Sequence, residues 1–158
     1  CPDVTRWREV VHAPDLAASC TEGWEECRKK AREATGDDKL LAGFMGTGIF
    51  EQCHFLMGFE DTLTNLYEHP QEMHELIEYI LEYRLGYVKL LIDNLRPDVI
   101  FSHDDWGAKN ALFMKPECGA SFSRSRIAAS TDISARAAAS PSTMPTPILS
   151  PSSRTWRR

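Results

Sequence analysis

The densest group of polar side chains in the sequence is His103-Asp104-Asp105-Trp106. Two adjacent carboxylates beside an imidazole can share a proton, bind a metal ion, or hold a cationic or hydrogen-bonding ligand. The structural alternative is that Asp104 or Asp105 caps the following turn and His103 bonds to nearby backbone. Because successive residues of a strand point to opposite faces, only some of these side chains can face one pocket.

A second histidine, His54, follows Glu51 by three residues, which places both side chains on one face of a helix. The pair could ligate a metal, but no third partner stands at metal-ligand spacing, so the pattern favours an ordinary helix histidine and predicts no metal site. The glycines of Gly43-x-x-Gly46-x-Gly48 lack the spacing of a phosphate-binding loop. These glycines indicate that the backbone leaves space for neighbouring groups at a pocket.

Two short apolar runs, residues 39–44 and 99–102, are typical of strands buried on both faces. Periodicity, glycines and prolines predict the helices between and before them. These helices cover residues 23–35, with a capping box that begins at Ser19, and residues 49–57, 59–69 and 70–94.

The order strand, helices, strand predicts a βαβ unit with two parallel strands. Residues 44–48 and 103–107 then meet at the carboxyl ends of the strands, where α/β folds bind ligands. A complete (β/α)8 barrel needs about 250 residues. The sequence therefore predicts an α/β fold that amounts to a partial (β/α)8 barrel of two to three βα units.

Composition divides the 158 residues into two regions. Residues 118–158 contain six of the 18 basic residues, all arginine, and one of the 23 acidic residues, Asp132, together with ten Ser and four Pro. Residues 1–117 hold most of the large apolar side chains. We expect a folded domain over 1–117 and a disordered Ser/Arg/Pro-rich tail over 118–158.

Several motifs in this order and spacing resemble the uroporphyrinogen decarboxylase superfamily. The resemblance runs from about Lys39 to Glu117. The motifs that carry it are Gly43-Phe44-x-Gly46, Leu66-Tyr67-Glu68-His69-Pro70, Asp104-x-Trp106-Gly107 and Pro116-Glu117.

The resemblance implies a (β/α)8 barrel and a tetrapyrrole carboxy-lyase that needs no cofactor. The alternative within the superfamily is a zinc-dependent, corrinoid-linked methyltransferase, in which the same residues would line a corrin or methyl-donor pocket. The family's substrate-binding tyrosine falls at His54 and its pocket serine at Asp105, whereas Asp104 and Trp106 match the family. The substrate-binding residues predicted for a tetrapyrrole, corrinoid or other small-molecule ligand are Phe44, His54, His103, Asp104, Asp105 and Trp106.

The two ends of the chain carry further expectations. The chain begins at Cys1, which predicts a fragment or a processed product. The family's catalytic aspartate would precede Cys1 and the zinc ligands would follow Glu117, so we expect this chain to be inactive by itself. Codons for the family's usual continuation, Met-Trp-Arg-Glu-Phe-Phe-Lys, can be read one base later as Cys-Gly-Ala-Ser-Phe-Ser-Arg, the sequence of residues 118–124. A one-base deletion after Glu117 would explain the tail, and resequencing the gene there tests this hypothesis.

Other features of the composition bear on membrane and nucleic-acid partners and on the cellular compartment. No apolar stretch approaches the roughly 18 residues that a membrane crossing needs, and the five cysteines form no C-x-x-C pair. These features predict free thiols in a cytoplasmic protein without a membrane partner. A basic tail could bind nucleic acid or an acidic partner, but this one lacks interleaved aromatic residues and lysines, so we expect no nucleic-acid partner.

Overall fold

A computed structural model describes residues 1, 3–19, 23–116 and 118–119. Helices dominate this mixed α/β structure. After a 3-10 turn at Val4–Arg6, the helices are α1 (Trp7–Val10), α2 (Leu16–Ser19), α3 (Trp24–Thr35), α4 (Ile49–Met57), α5 (Phe59–Glu68) and α6 (Pro70–Leu95). The strands are β1 (Ala42–Met45), β2 (Val99–Ser102), β3 (Gly107–Ala108) and β4 (Ala111–Leu112).

Local sequence signals set the ends of α4, α5 and α6. Gly58 separates α4 from α5 at a φ of 96°, which a residue with a side chain rarely adopts. Pro70 opens α6 at the first helical position, where no backbone N–H is needed. The three predicted helices are confirmed, each to within a residue of its predicted ends.

The core lies between α6 and the two helices that precede it. Met73 and Leu76 of α6 have no exposed surface, and Cys53 of α4 and Leu66 of α5 pack in the same cluster. The first turns of the chain close this cluster through Trp7, whose ring lies 5.2 Å from the ring of Tyr79. Burial of the apolar stripe on α6 therefore confirms the periodicity seen in the sequence.

Helix α3 also forms where it was expected, but with a different start. Gly23 precedes it at a φ of 85°, and Ser19 is the last residue of α2. Ser19 is therefore not the N-cap of α3, and the predicted capping box is wrong in that respect; its acidic member, Glu22, lies outside the described residues.

Strands β1 and β2 pair in parallel, as predicted, with Ala42 opposite Val99 and Met45 opposite Ser102. Asp98 fixes the start of this pairing, because its carboxylate accepts hydrogen bonds from the Leu41 amide and the Arg32 guanidinium, both at 2.7 Å. Strands β3 and β4 form a short antiparallel hairpin that the sequence patterns did not reveal.

The prediction that both strands are buried on two faces is wrong. Phe44 is 63% exposed and Phe101 is 53% exposed, whereas Gly43 and Met45 on the other face of β1 are buried. Helix α6 lies on the Met45 side, since Arg84 of α6 bonds to Ser102, the register partner of Met45. Among the described residues, nothing covers the opposite face of the strand pair.

The described ranges contain one parallel pair and one hairpin, and no barrel closes within them. The structure thus shows the mixed α/β class. Of the predicted tail, only Cys118 and Gly119 are described, so its expected disorder lies outside these residues. None of the helices described is both long enough and apolar enough to cross a membrane.

Candidate functional site

The candidate site lies where the carboxyl ends of β1 and β2 meet the first turn of α4. The segment from Gly46 to Gly48 connects β1 to α4, and His103 to Trp106 follow β2 directly. We call these two segments the mouth of the strand pair. The parallel pairing predicted from the sequence is what brings them together.

Asp104 caps α4 across the mouth. Its two carboxylate oxygens accept hydrogen bonds from the backbone amides of Phe50 and Glu51, each at 3.1 Å. The first amides of a helix have no partners within it, and the helix dipole favours negative charge there. The Asp104 carboxylate therefore points to α4 and is engaged by backbone donors.

Gly48 leaves the space that Asp104 occupies. A Cβ atom at Gly48 would lie 1.9 Å from Cγ of Asp104, which no side chain can tolerate. The Gly48 amide in turn donates to the Glu51 carboxylate at 2.9 Å. Glycine was expected here for backbone clearance, and the structure shows that the clearance accommodates Asp104.

Arg84 forms hydrogen bonds with both strand ends at the mouth, from the helix side of the strand pair. This residue of α6 is 8% exposed and donates to the backbone oxygens of Gly46 and Thr47 and, at 3.0 Å, to the hydroxyl of Ser102. Burial lowers the pKa of the Arg84 guanidinium, while the charges of Asp104 and Glu51 act in the opposite direction. Arginine remains charged in proteins, so a buried positive charge faces these carboxylates.

Sequence reasoning missed Arg84, although a signal was available. The residue occupies a position on the apolar stripe of α6, four residues after Ile80 and four before Val88, both of which are buried. A charged residue at such a position needs buried hydrogen-bond acceptors.

His103 and Asp105 face outward at the mouth. The side chain of His103 is 57% exposed, and its Nδ1 lies 3.6 Å from a carboxylate oxygen of Glu51. Asp105 is exposed and accepts a long hydrogen bond of 3.5 Å from the amide of Gly107, as expected for the turn-capping alternative. An imidazole and a carboxylate are thus available to a ligand above the strand ends.

Phe44 lies on the uncovered face of the strand pair. Its ring stacks on that of Phe101, with the centroids 5.7 Å apart and the planes inclined by 19°. The two rings come from register partners, so they form one exposed aromatic surface, a stacked pair, just before the mouth.

His54 and Trp106 have different surroundings. The ring of His54 lies among phenylalanines, with centroids 5.7 Å from Phe50 and 4.7 Å from Phe55. Trp106 borders a mostly apolar cavity of about 40 Å³ between α4, α5 and α6, and its buried Nε1 has no hydrogen-bond partner among the residues that the structure describes. The structure therefore groups Phe44, His103, Asp104 and Asp105 at the ends of β1 and β2, and places His54 and Trp106 against the helices.

Possible metal-ligating side chains do not cluster in the parts of the chain that the structure describes. No group of three or more His, Cys, Asp and Glu side chains there could hold a metal ion. The zinc ligands that the methyltransferase alternative implies would follow Glu117, and apart from Cys118 and Gly119 that region lies outside the described residues.

Comparison of the chain with protein-family models, with curated proteins and with solved structures finds no match. The arrangement itself presents an exposed aromatic surface, an exposed imidazole and an exposed carboxylate at the carboxyl ends of the strand pair.

Proposed function

We propose that this chain contributes one sector of a (β/α)8 barrel enzyme of the uroporphyrinogen decarboxylase superfamily, and that its aromatic surface binds a tetrapyrrole. The activity proposed for the complete barrel is that of a tetrapyrrole carboxy-lyase, located in the cytoplasm. The observation that carries the proposal is the exposed stack of Phe44 on Phe101 at the carboxyl end of a parallel strand pair.

The position of the stack supports the proposal. Helix α6 lies on one face of the strand pair and the stack on the other. In a (β/α)8 barrel the helices surround the strands and the opposite face is the barrel interior, with ligands bound at its carboxyl-terminal end. Phe44 and Phe101 would therefore face the ligand in a completed barrel.

The chemistry of the stack also suits a tetrapyrrole. Flat conjugated or apolar rings pack well on exposed aromatic side chains, and such contacts contribute about 0.5–1.5 kcal/mol beyond the area they bury. The exposed imidazole of His103 can donate a hydrogen bond to a carboxylate substituent at the edge of the ring.

Asp105 favours the second candidate, a corrinoid-linked methyltransferase of the same superfamily. This exposed carboxylate stands where the resemblance places a serine, and it would repel the carboxylates of a porphyrinogen. A corrin carries neutral amides in place of most such groups and would not be repelled.

Ligand binding by the 158-residue chain tests the proposal without requiring turnover. Coproporphyrin, a planar tetracarboxylate, and cobalamin would be titrated separately, with the shift of each visible absorption band as the readout. We expect saturable binding of coproporphyrin, weakened about tenfold in Phe44→Ala, which corresponds to roughly 1.4 kcal/mol of lost stacking.

Tyr67→Ala provides the matched control, since Tyr67 is also an exposed aromatic residue but lies on α5. This variant should bind coproporphyrin as the parent chain does. Absence of a saturable shift with either ligand, or equal weakening by both substitutions, would contradict the proposal. Selective binding of cobalamin would favour the methyltransferase.

A further inference from the structure

Arg84 is the buried charged residue that contacts both strand ends. Its guanidinium reaches the backbone oxygens of Gly46 and Thr47, which follow β1, and the hydroxyl of Ser102, the last residue of β2. The planar guanidinium presents several N–H donors in fixed directions, so one side chain can satisfy acceptors on two segments at once.

The same contacts fix the cap on α4. Asp104 follows Ser102 by two residues, and the amides that it accepts from belong to Phe50 and Glu51, a few residues after Thr47. Holding Ser102 near Thr47 therefore holds Asp104 near the first turn of α4. The charges of Asp104 and Glu51 also interact favourably with Arg84.

We infer that Arg84 is the positioning residue of the mouth, which sets the separation of the β1 and β2 ends and thereby the placement of Phe44, His103 and Asp105 toward a ligand. The part of this inference that concerns a ligand rests on the proposed function. The part that concerns the separation of the strand ends does not. Arg84 lies on the helix side of the strand pair, whereas Phe44 lies on the other face, so it acts through the strand ends rather than by touching the ligand.

Amide hydrogen exchange followed by NMR on the 158-residue chain tests the geometry. Arg84→Met keeps an unbranched side chain that can fill the buried stem of the site and removes its donors. Loss of a hydrogen-bonded charge there should speed exchange of the Phe50 and Glu51 amides about tenfold to hundredfold, with a smaller change for amides of α3. Val88→Ala changes a buried site one turn further along α6. It should speed amide exchange generally, with no larger effect at Phe50 and Glu51 than elsewhere.

Two further variants make the result decisive. Ser102→Ala removes only the contact on the β2 side and should reproduce the selective change in weaker form, which keeps the inference testable if Arg84→Met does not fold. Arg84→Lys retains the charge but not the planar set of N–H donors, so we expect its amide exchange to resemble that of Arg84→Met. The inference would be overturned if the Phe50 and Glu51 amides exchanged as slowly in Arg84→Lys as in the parent chain. It would also be overturned if Arg84→Met and Ser102→Ala sped the exchange of all amides equally.

Titration of the same variants with coproporphyrin connects the geometry to binding. Arg84→Met should weaken binding at least as much as Phe44→Ala, whereas Val88→Ala should leave the affinity of the folded fraction unchanged. If the parent chain binds no coproporphyrin, the proposed function fails, and the exchange data still decide the role of Arg84.

Discussion

Replacement of Asp104 by alanine removes both acceptors from the first turn of α4. The Phe50 and Glu51 amides, each 3.1 Å from a carboxylate oxygen, would lose their only acceptors among the contacts that the structure shows. Loss of a helix N-cap costs about 1 kcal/mol, and hydrogen bonds to a charged group contribute about 1.5–3 kcal/mol. Asp104 is half-buried, so water replaces part of the lost interaction.

These contributions together predict that Asp104→Ala lowers the free energy of unfolding by about 2 kcal/mol. Such a change is roughly a thirtyfold shift in the folding equilibrium. Urea unfolding followed by far-ultraviolet circular dichroism measures it, with the slope of the transition showing whether the unfolded states are comparable.

Asp105→Ala is the matched control, because it removes the same charge from the neighbouring residue. Asp105 is exposed, and the hydrogen bond that it makes within the described part of the chain is the long one from the Gly107 amide, so we expect a change within about 0.5 kcal/mol. An equal effect of the two substitutions, or a loss below about 0.5 kcal/mol for Asp104→Ala, would refute the capping role.

Two further predictions concern titratable groups away from the mouth. The hydrogen bond from Arg32 holds the pKa of Asp98 below its usual value of 3.8, so its stabilising contribution is present above that value and is lost as the pH falls through the folded pKa. Asp98→Asn should therefore be less stable than the parent chain near neutral pH and converge with it in acid, and urea unfolding across the acid range would contradict this if the difference stayed constant. Burial and the charge of Asp104 raise the pKa of the Cys53 thiol to about 12. Iodoacetamide near neutral pH should thus label the exposed Cys27 and spare Cys53 until urea unfolds the chain, whereas equal labelling of both in the native state, measured by peptide mass spectrometry, would contradict the placement of Cys53.

Elements with local signals were predictable from the sequence. Gly58 and Pro70 mark helix ends through their own backbone preferences, and the apolar period of α6 identifies its buried face without knowledge of its neighbours. The parallel pairing of β1 and β2 was also predictable, because two neighbouring strands joined by a long helical crossover have few other ways to pair.

Features that depend on distant residues were not predictable in the same way. Asp104 and its partner Phe50 are 54 positions apart, and no local pattern shows that the carboxylate turns toward α4. The exposure of Phe44 and Phe101 likewise depends on what lies over the sheet, since an apolar run indicates only that a strand can be buried. Their roles toward a ligand, with those of His54, His103, Asp105 and Trp106, remain predictions.

The distance along the chain between β1 and β2 also bears on how the molecule folds. The contact of Leu41 with Asp98, which begins the strand pairing, closes a loop of 57 positions. Closing a flexible loop of that length costs about 3.6 kcal/mol in chain entropy. Helices α4, α5 and α6 lie within this loop and pack on one another, so once they have formed they shorten the flexible part of the loop and reduce this cost. We expect helix packing to come first and the strand pair to close last, so the mouth is the slowest part of the fold to assemble.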